Sequence, residues 1–124
     1  MEIVFTENAP KAIGPYSQAV IAGNLVFTSG QIAIDPKSSL IVDGGIEKQI
    51  VQVMNNLKAV VEKSGSSMEK IIKTTIFLKN MADFSVVNEV YGSYFNNKFP
   101  ARSCVEVARL PKDVLVEIED IGEI

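Results

Sequence analysis

Two side chains in the last quarter of the chain have types and settings suited to chemistry on a small carboxylate. Arg102 follows the segment Phe99–Ala101, whose proline fixes how the chain enters the next element. A guanidinium at such a point can bind a carboxylate or phosphate through two parallel hydrogen bonds. Glu117 stands between Val116 and Ile118. A half-buried carboxyl has a raised pKa, which suits a general acid or a residue that positions water.

Cys104 lies two residues beyond Arg102 and is a third candidate. A nucleophilic cysteine needs a base or an electropositive setting, and the chain contains no histidine to serve as that base. This favours a small packing residue at position 104. From these residues alone, the favoured interpretations are a surface Arg102 paired with Glu106 or Glu119 and a Glu117 that faces solvent.

Weaker signals lie in three other segments. Gly14–Ser17 predicts a turn that presents the Tyr16 hydroxyl. The small residues Ser29 and Gly30 end a predicted strand, so a ligand or another backbone could approach closely there. Asn88 lies inside a predicted helix, where most asparagines face solvent. None of these segments matches a phosphate-binding glycine motif.

The composition excludes several classes of protein. A chain of 124 residues, 47% hydrophobic and 22% charged, predicts a single globular domain over residues 1–124. A net charge of −3 and a pI near 4.9 argue against nonspecific nucleic-acid binding. One cysteine excludes an intrachain disulfide, and the absence of histidine removes the commonest metal ligand. Without a long apolar run or a signal-peptide pattern, we expect a cytoplasmic protein with no membrane contact.

Two segments have helical periodicity. Apolar residues at spacings of three and four predict a helix over about Ile46–Lys63, with Asp43 as its N-cap and Gly65 as its stop. A second helix is predicted over about Phe84–Asn96, with Asp83 as its cap. The predicted buried face of this second helix consists of Phe84, Val87, Tyr91, Tyr94 and Phe95.

Most remaining segments predict strands. We expect the strand near the N-terminus, Ile3–Phe5, to pair with the strand that begins near Leu25. The order of elements predicts an α+β fold, in which a mixed, mostly antiparallel sheet carries two helices on one face. The predicted strands are Ile3–Phe5, Leu25–Ser29, Ile71–Lys79, Arg102–Val107 and Val114–Ile121, with a short additional one considered at Gln31–Ile34.

Alternation along the last two strands predicts the face on which the candidate residues lie. If the aliphatic side chains of both strands meet the helices, then Arg102, Cys104 and Glu117 share the helix-free face. That face would also carry Leu115 beside the charges. Such a mixed face fits either contact with another subunit or an ordinary solvated sheet surface.

Six segments distributed along the whole chain carry a resemblance to a known family. They are Glu7–Pro10, Ala12–Gln18, Phe27–Ile32, Lys73–Phe77, Phe99–Pro111 and Val116–Glu119. In these segments the chain closely resembles the reactive intermediate/imine deaminases, the RidA group of the YjgF/YER057c/UK114 family. The resemblance implies a chorismate-mutase-like fold that forms a homotrimer with its sheets facing inward and three sites between subunits.

The resemblance also implies an activity and a site. Such proteins hydrolyse enamine and imine compounds like 2-aminoacrylate and 2-aminocrotonate to 2-keto acids and ammonia, with no cofactor and no metal. By resemblance, Arg102 clamps the substrate carboxylate, the backbone at Cys104 contacts the ligand, and Glu117 holds the attacking water. The other matched positions are Tyr16, Ser29 and Gly30, which another subunit supplies, and the cleft-lining Asn88.

Two other functions remain open from the sequence. The same cleft could bind 2-keto acids without turnover, as a regulatory module. A ribonuclease or translation inhibitor is the third hypothesis, although the low pI, the missing histidine and the lack of a basic and aromatic stripe weigh against it.

Overall fold

The computed structural model describes residues 1–124, in which two helices cover one face of a six-stranded sheet. Neither helix is both long and apolar enough to cross a membrane. The strands are β1 (Glu2–Val4), β2 (Ala19–Ala22), β3 (Leu25–Thr28), β4 (Ile71–Leu78), β5 (Ala101–Glu106) and β6 (Val116–Glu123). The helices are α1 (Gly45–Lys63) and α2 (Phe84–Gly92).

The strands lie in the order β1-β2-β3-β6-β4-β5. Every neighbouring pair is antiparallel except β4 and β5, which run parallel because α2 carries the chain from one to the other. The predicted α+β class, with a mixed and mostly antiparallel sheet, is therefore confirmed. The last strand, β6, lies in the interior of the sheet between β3 and β4, so its side chains sit near the centre of both faces.

The core lies between the helices and one face of this sheet. The apolar stripe of α1, including Ile50, Met54 and Leu57, is fully buried. It packs in one cluster with Ile76 of β4 and Ile118 of β6. This burial, worth about 25 cal/mol per Å² of apolar surface, holds the central strands in a fixed position beneath the helices.

The structure differs from the sequence-based expectation at the N-terminal edge of the sheet. β1 pairs with β2 and not with the strand that begins at Leu25. The expectation missed β2, a four-residue strand that forms a hairpin with β3 through the turn at Gly23, whose φ of 61° favours glycine. The segment at Gln31–Ile34 makes only isolated bridges and no strand.

Three element ends also differ from the expectation. Gly44, with a φ of 115°, precedes α1 as its N-cap in place of Asp43. The helix α2 ends at Gly92, four residues early, because the chain turns immediately after this glycine. Asp83 does precede α2, but its side chain makes no capping hydrogen bond. The final strand begins at Val116, two residues later than predicted.

Candidate functional site

Arg102 lies on the helix-covered face of β5, beneath α2. Its Nη1 donates a hydrogen bond to Oδ1 of Asn88 at 2.7 Å. Its guanidinium carbon lies 5.5 Å from the centre of the Phe84 ring and 5.1 Å from that of Tyr91. A cation is attracted to the faces of aromatic rings, so these contacts hold the guanidinium without neutralising its charge.

The helix α2 supplies all three of these contacts because of their spacing. Phe84, Asn88 and Tyr91 follow one another at intervals of four and three residues, so they lie on one face of the helix. Asn88 was predicted as a cleft residue, whereas Phe84 and Tyr91 were predicted only as buried. The sequence does contain a signal for this cluster, because the spacing of Phe84 and Tyr91 on either side of Asn88 places two aromatic rings and an amide on one helix face. Asn88, Tyr91, Gly92, Phe99, Pro100 and Arg102 line one cleft, here called the arginine cleft.

A hydrogen bond joins Tyr91 of α2 to Thr74 of β4. Their hydroxyl oxygens lie 2.7 Å apart, in a buried hydrogen bond. Burial raises the pKa of the Tyr91 phenol, although the Thr74 hydrogen bond and the charge of Arg102 act against this. The phenol therefore remains neutral, and its ring packs against the Arg102 guanidinium in a fixed position.

Cys104 packs against the main hydrophobic core from the edge strand β5. Burial raises the pKa of its thiol, and the nearby Arg102 charge opposes this only in part. A thiol in this setting is not activated as a nucleophile. The packing interpretation of Cys104 therefore fits the structure.

Glu117 lies in a second cleft on the opposite, helix-free face of the sheet. Gly30 approaches it so closely that a Cβ added there would lie 2.5 Å from Glu117 Oε1. Ser29 is held beside them because its Oγ donates a hydrogen bond to the Ser17 carbonyl at 2.5 Å. This cleft, here called the glutamate cleft, is lined by Ile13, Tyr16, Ser29, Gly30, Ile32, Pro111, Glu117 and Glu119.

The electrostatic setting of Glu117 favours its protonated form. Burial raises its pKa, and the neighbouring charge of Glu119 raises it further. Glu117 takes no part in a salt bridge, since the one salt bridge of the chain joins Arg109 to Asp113. Glu117 therefore keeps its proton to a higher pH than an ordinary glutamate does, which suits a group that both gives and takes a proton.

The structure thus separates the predicted site residues into two groups on opposite faces. Tyr16, Ser29 and Gly30 gather around Glu117, whereas Asn88 gathers with Arg102. The placement of Arg102 and Cys104 on the helix-free face was wrong.

The sheet register accounts for this outcome. Arg102 is the cross-strand partner of Thr74, whereas Glu117 is the partner of Phe77, three residues along β4 and therefore on its other face. Alternation placed the aliphatic side chains of β5 towards the helices, but Val105 points away from them and is 44% exposed. The aromatic rings of α2 cover Arg102 instead.

No group of three or more histidine, cysteine, aspartate or glutamate side chains is arranged to hold a metal ion. The polar groups that the two clefts offer are a guanidinium, carboxyls, hydroxyls, an amide and backbone atoms. Such groups can bind an organic anion, orient a water molecule and move a proton.

A family model described as Endoribonuclease L-PSP matches residues 6–124. The chain belongs to the L-PSP family. A RutC family protein of Pyrococcus horikoshii is 58% identical over 121 residues, which cover 98% of this chain and 96% of the relative. This L-PSP family member is also 52% identical to the 2-iminobutanoate/2-iminopropanoate deaminase of Escherichia coli K12, over 96% of this chain and 94% of the relative.

Solved structures place the L-PSP chain in the same fold. The crystal structure of Escherichia coli TdcF with bound serine matches it with a TM-score of 0.95 at 45% identity, covering 100% of this chain and 99% of that one. The fold and the family resemblance inferred from sequence are therefore both confirmed.

Proposed function

We propose that the protein hydrolyses reactive 2-imino acids, such as the imines of 2-aminoacrylate and 2-aminocrotonate, to 2-keto acids and ammonia. The observation that carries this proposal is that one chain offers a guanidinium without a carboxylate partner in one cleft and a half-buried carboxyl in another. A relative that is 52% identical is named as a deaminase of this substrate class. Neither cleft alone holds both groups, so the active site forms where the arginine cleft of one copy meets the glutamate cleft of another.

Arg102 binds the substrate carboxylate in this proposal. A 2-imino acid carries its carboxylate next to the electrophilic C=N carbon, so holding the carboxylate also fixes that carbon. Asn88 and the two aromatic rings restrict the guanidinium to one orientation. Positioning of this kind can supply a large part of the rate when the bond is already reactive towards water.

Glu117 moves one proton from oxygen to nitrogen in each of two steps. First, the water oxygen bonds to the imine carbon, the C=N electron pair moves onto nitrogen, and Glu117 takes a proton from the water and passes one to nitrogen. The product is a carbinolamine. Glu117 then takes the hydroxyl proton and passes it to the amino group, the C–N bond breaks, and ammonia leaves a 2-keto acid.

We propose a homotrimer with inward-facing sheets as the assembly that joins the clefts. Exposed apolar side chains on the helix-free face support this arrangement, because large apolar groups on a sheet face favour contact with another subunit. They are Ile3 and Phe5 at the first strand, Phe27 of β3 and Val105 of β5.

The test of this function is coupled turnover in Arg102→Ala. A threonine dehydratase generates 2-aminocrotonate and its imine, and keto acid release is followed with and without the protein. We expect wild-type protein to accelerate release and Arg102→Ala to lose that acceleration, since the carboxylate loses its partner. Arg109→Ala is the matched control, because Arg109 is exposed and pairs only with Asp113. A near wild-type rate in Arg102→Ala would contradict the role of Arg102.

Two other results would redirect the proposal. Binding of 2-ketobutyrate by calorimetry, without any acceleration of release, would favour a regulatory binding module. Cleavage of RNA by highly purified protein that persists in both Arg102→Ala and Glu117→Gln would favour the activity in the family description. The net charge of −3 argues against the second result.

A further inference from the structure

A row of four polar side chains crosses the helix-covered face of the sheet, which is otherwise largely apolar. Thr74 of β4 is the cross-strand partner of Asp120 on one side and of Arg102 on the other. Thr28 of β3 continues the row, because its hydroxyl oxygen accepts a hydrogen bond from the Asp120 amide at 2.9 Å. The row therefore runs from the interior of the sheet to Arg102 at the arginine cleft.

Asp120 is the unusual member of this row. Only 3% of its surface is exposed, and neither carboxyl oxygen has a hydrogen-bond partner. Burying an unpaired charge is costly, so the folded protein favours the neutral acid. Burial raises the pKa of Asp120 to about 7. The charge of Glu119 also raises this pKa, whereas the nearby Thr28 hydroxyl acts to lower it.

Few charged or titratable groups surround Asp120. Its own strand contributes Glu119 and α2 contributes the Tyr91 phenol, whereas Arg102 of β5 lies farther away, on the other side of Thr74. From β3 and β4 the row contributes only threonine hydroxyls. The helix α1 buries no titratable side chain, and its two buried polar residues, Gln49 and Asn56, bond to backbone groups elsewhere. Arg102 is therefore the only cation in the row.

A continuous chain of contacts links Asp120 to Arg102. Thr74 lies beside Asp120 in the sheet and shares a 2.7 Å hydrogen bond with the Tyr91 hydroxyl. The Tyr91 ring lies 5.1 Å from the guanidinium carbon of Arg102. An ionised Asp120 would attract the Thr74 hydroxyl proton and so reorient the hydrogen bond to Tyr91.

We propose that Asp120 is a positioning residue that sets how tightly Arg102 holds a ligand carboxylate, according to its own protonation state and through Thr74 and Tyr91. This inference rests on the proposed function, since it takes Arg102 as the carboxylate-binding group. Neutral Asp120 leaves the positive field of Arg102 intact. Ionised Asp120 places a negative charge two strand spacings away, about 10 Å, and weakens that field. The ligand is therefore bound more weakly as the pH rises through 7.

Calorimetric binding of 2-ketobutyrate to the full-length protein at pH 6 and pH 8 tests the effect. The ligand keeps one negative charge over this range. In wild type we expect a roughly threefold to tenfold loss of affinity at pH 8, from repulsion over two to three strand spacings at an effective dielectric constant of about 20. Asp120→Asn, which is permanently neutral, should lose this dependence. Asp43→Asn, at an exposed loop position, should retain it.

A second measurement needs no variant. The carboxyl carbon of Asp120 is titrated by NMR in protein labelled with carbon-13 aspartate, with and without saturating 2-ketobutyrate. Because coupling between two binding events is reciprocal, the ligand should raise the Asp120 pKa by about 0.5 to 1. A role in packing alone would leave this titration unchanged on ligand addition.

The outcomes separate this inference from the proposed function. Binding that keeps its full pH dependence in Asp120→Asn, or an Asp120 titration that ignores the ligand, overturns the inference alone. If Asp120→Asn fails to fold, the wild-type titration decides. Absence of 2-ketobutyrate binding and of imine hydrolysis at every pH overturns both.

Discussion

Glu117 and Glu119 are two residues apart on β6 and face the same cleft, but they differ in burial. Glu117 is half-buried under Gly30, whereas Glu119 is exposed. The charge of Glu119 contributes to the raised pKa of Glu117. In the proposed reaction Glu117 must be ionised to accept a proton from water, so the rate rises as the pH passes its pKa. Its acid limb should therefore lie above the range of an ordinary glutamate.

Removing the Glu119 charge should shift this acid limb. In Glu119→Gln the pKa of Glu117 falls towards its ordinary value, so half-maximal rate is reached at a lower pH than in wild type. The measurement is the rate of 2-keto acid release against pH, with the imine-generating enzyme in excess. Glu123→Gln removes the same charge from the same face of β6 farther along the strand, and its profile should match wild type. An unchanged profile in Glu119→Gln would contradict this coupling.

The segment that leaves β3 approaches β6 closely enough to determine where the Glu117 carboxyl lies. Gln31 makes an isolated bridge with Ile118, which brings Gly30 against the Glu117 side chain. A methyl group at position 30 would lie 2.5 Å from Glu117 Oε1 and 2.9 Å from its Cγ, both shorter than real contacts allow. The glutamate side chain, which is flexible, would move while the backbone remained in place.

Gly30→Ala should therefore fold but turn over slowly. A displacement of the carboxyl by about 1 Å can cost on the order of 100-fold in rate, and we expect that loss in kcat with KM much less affected. Gly14→Ala is the matched control, since its added methyl would meet the Tyr16 ring at an ordinary 3.5 Å. Steady-state kinetics and a thermal melt of both variants separate displacement from misfolding. A wild-type kcat in Gly30→Ala would show that the position of Glu117 does not limit turnover.

The elements differ in how far the sequence could predict them. The helix α1 could be predicted from the sequence, because its buried apolar residues recur at spacings of three and four. The strand β2 was missed because Ala19–Ala22 is only four residues long and shows no alternation of polar and apolar side chains. Along β5, the sequence correctly placed Arg102 and Cys104 on one face and Val105 on the other. It did not determine which face meets the helices, because β5 is an edge strand and its apolar Val105 is exposed.

The placement of Arg102 and Glu117 on opposite faces of the sheet could not be predicted from the sequence either. The resemblance supplied the residue types, and the sequence placed Arg102 and Glu117 on predicted strands. Whether two residues on different strands share a face depends on the register of β5 and β6 against β4, which no local pattern encodes. The separation of Arg102 from Glu117 is a consequence of that register.

An active site shared between two copies, as proposed above, predicts how variants of Arg102 and Glu117 behave together. If each active site takes Arg102 from one copy and Glu117 from the next, then a variant that lacks one group still carries an intact cleft of the other kind. Arg102→Ala keeps the glutamate cleft, and Glu117→Gln keeps the arginine cleft. We expect each variant to be inactive alone, because every site in its proposed oligomer would lack the same group.

Mixed oligomers of these two variants should regain activity. When they are unfolded together and refolded, an interface at which a Glu117→Gln copy supplies Arg102 and an Arg102→Ala copy supplies Glu117 contains both wild-type groups. Random assembly of equal amounts in a cyclic oligomer produces such sites at about one quarter of interfaces, and therefore about one quarter of the wild-type rate. The control refolds each variant separately and mixes them without exchange, which should give none. If co-refolding restores no activity although mass spectrometry shows mixed oligomers, Arg102 and Glu117 do not act on one substrate across an interface.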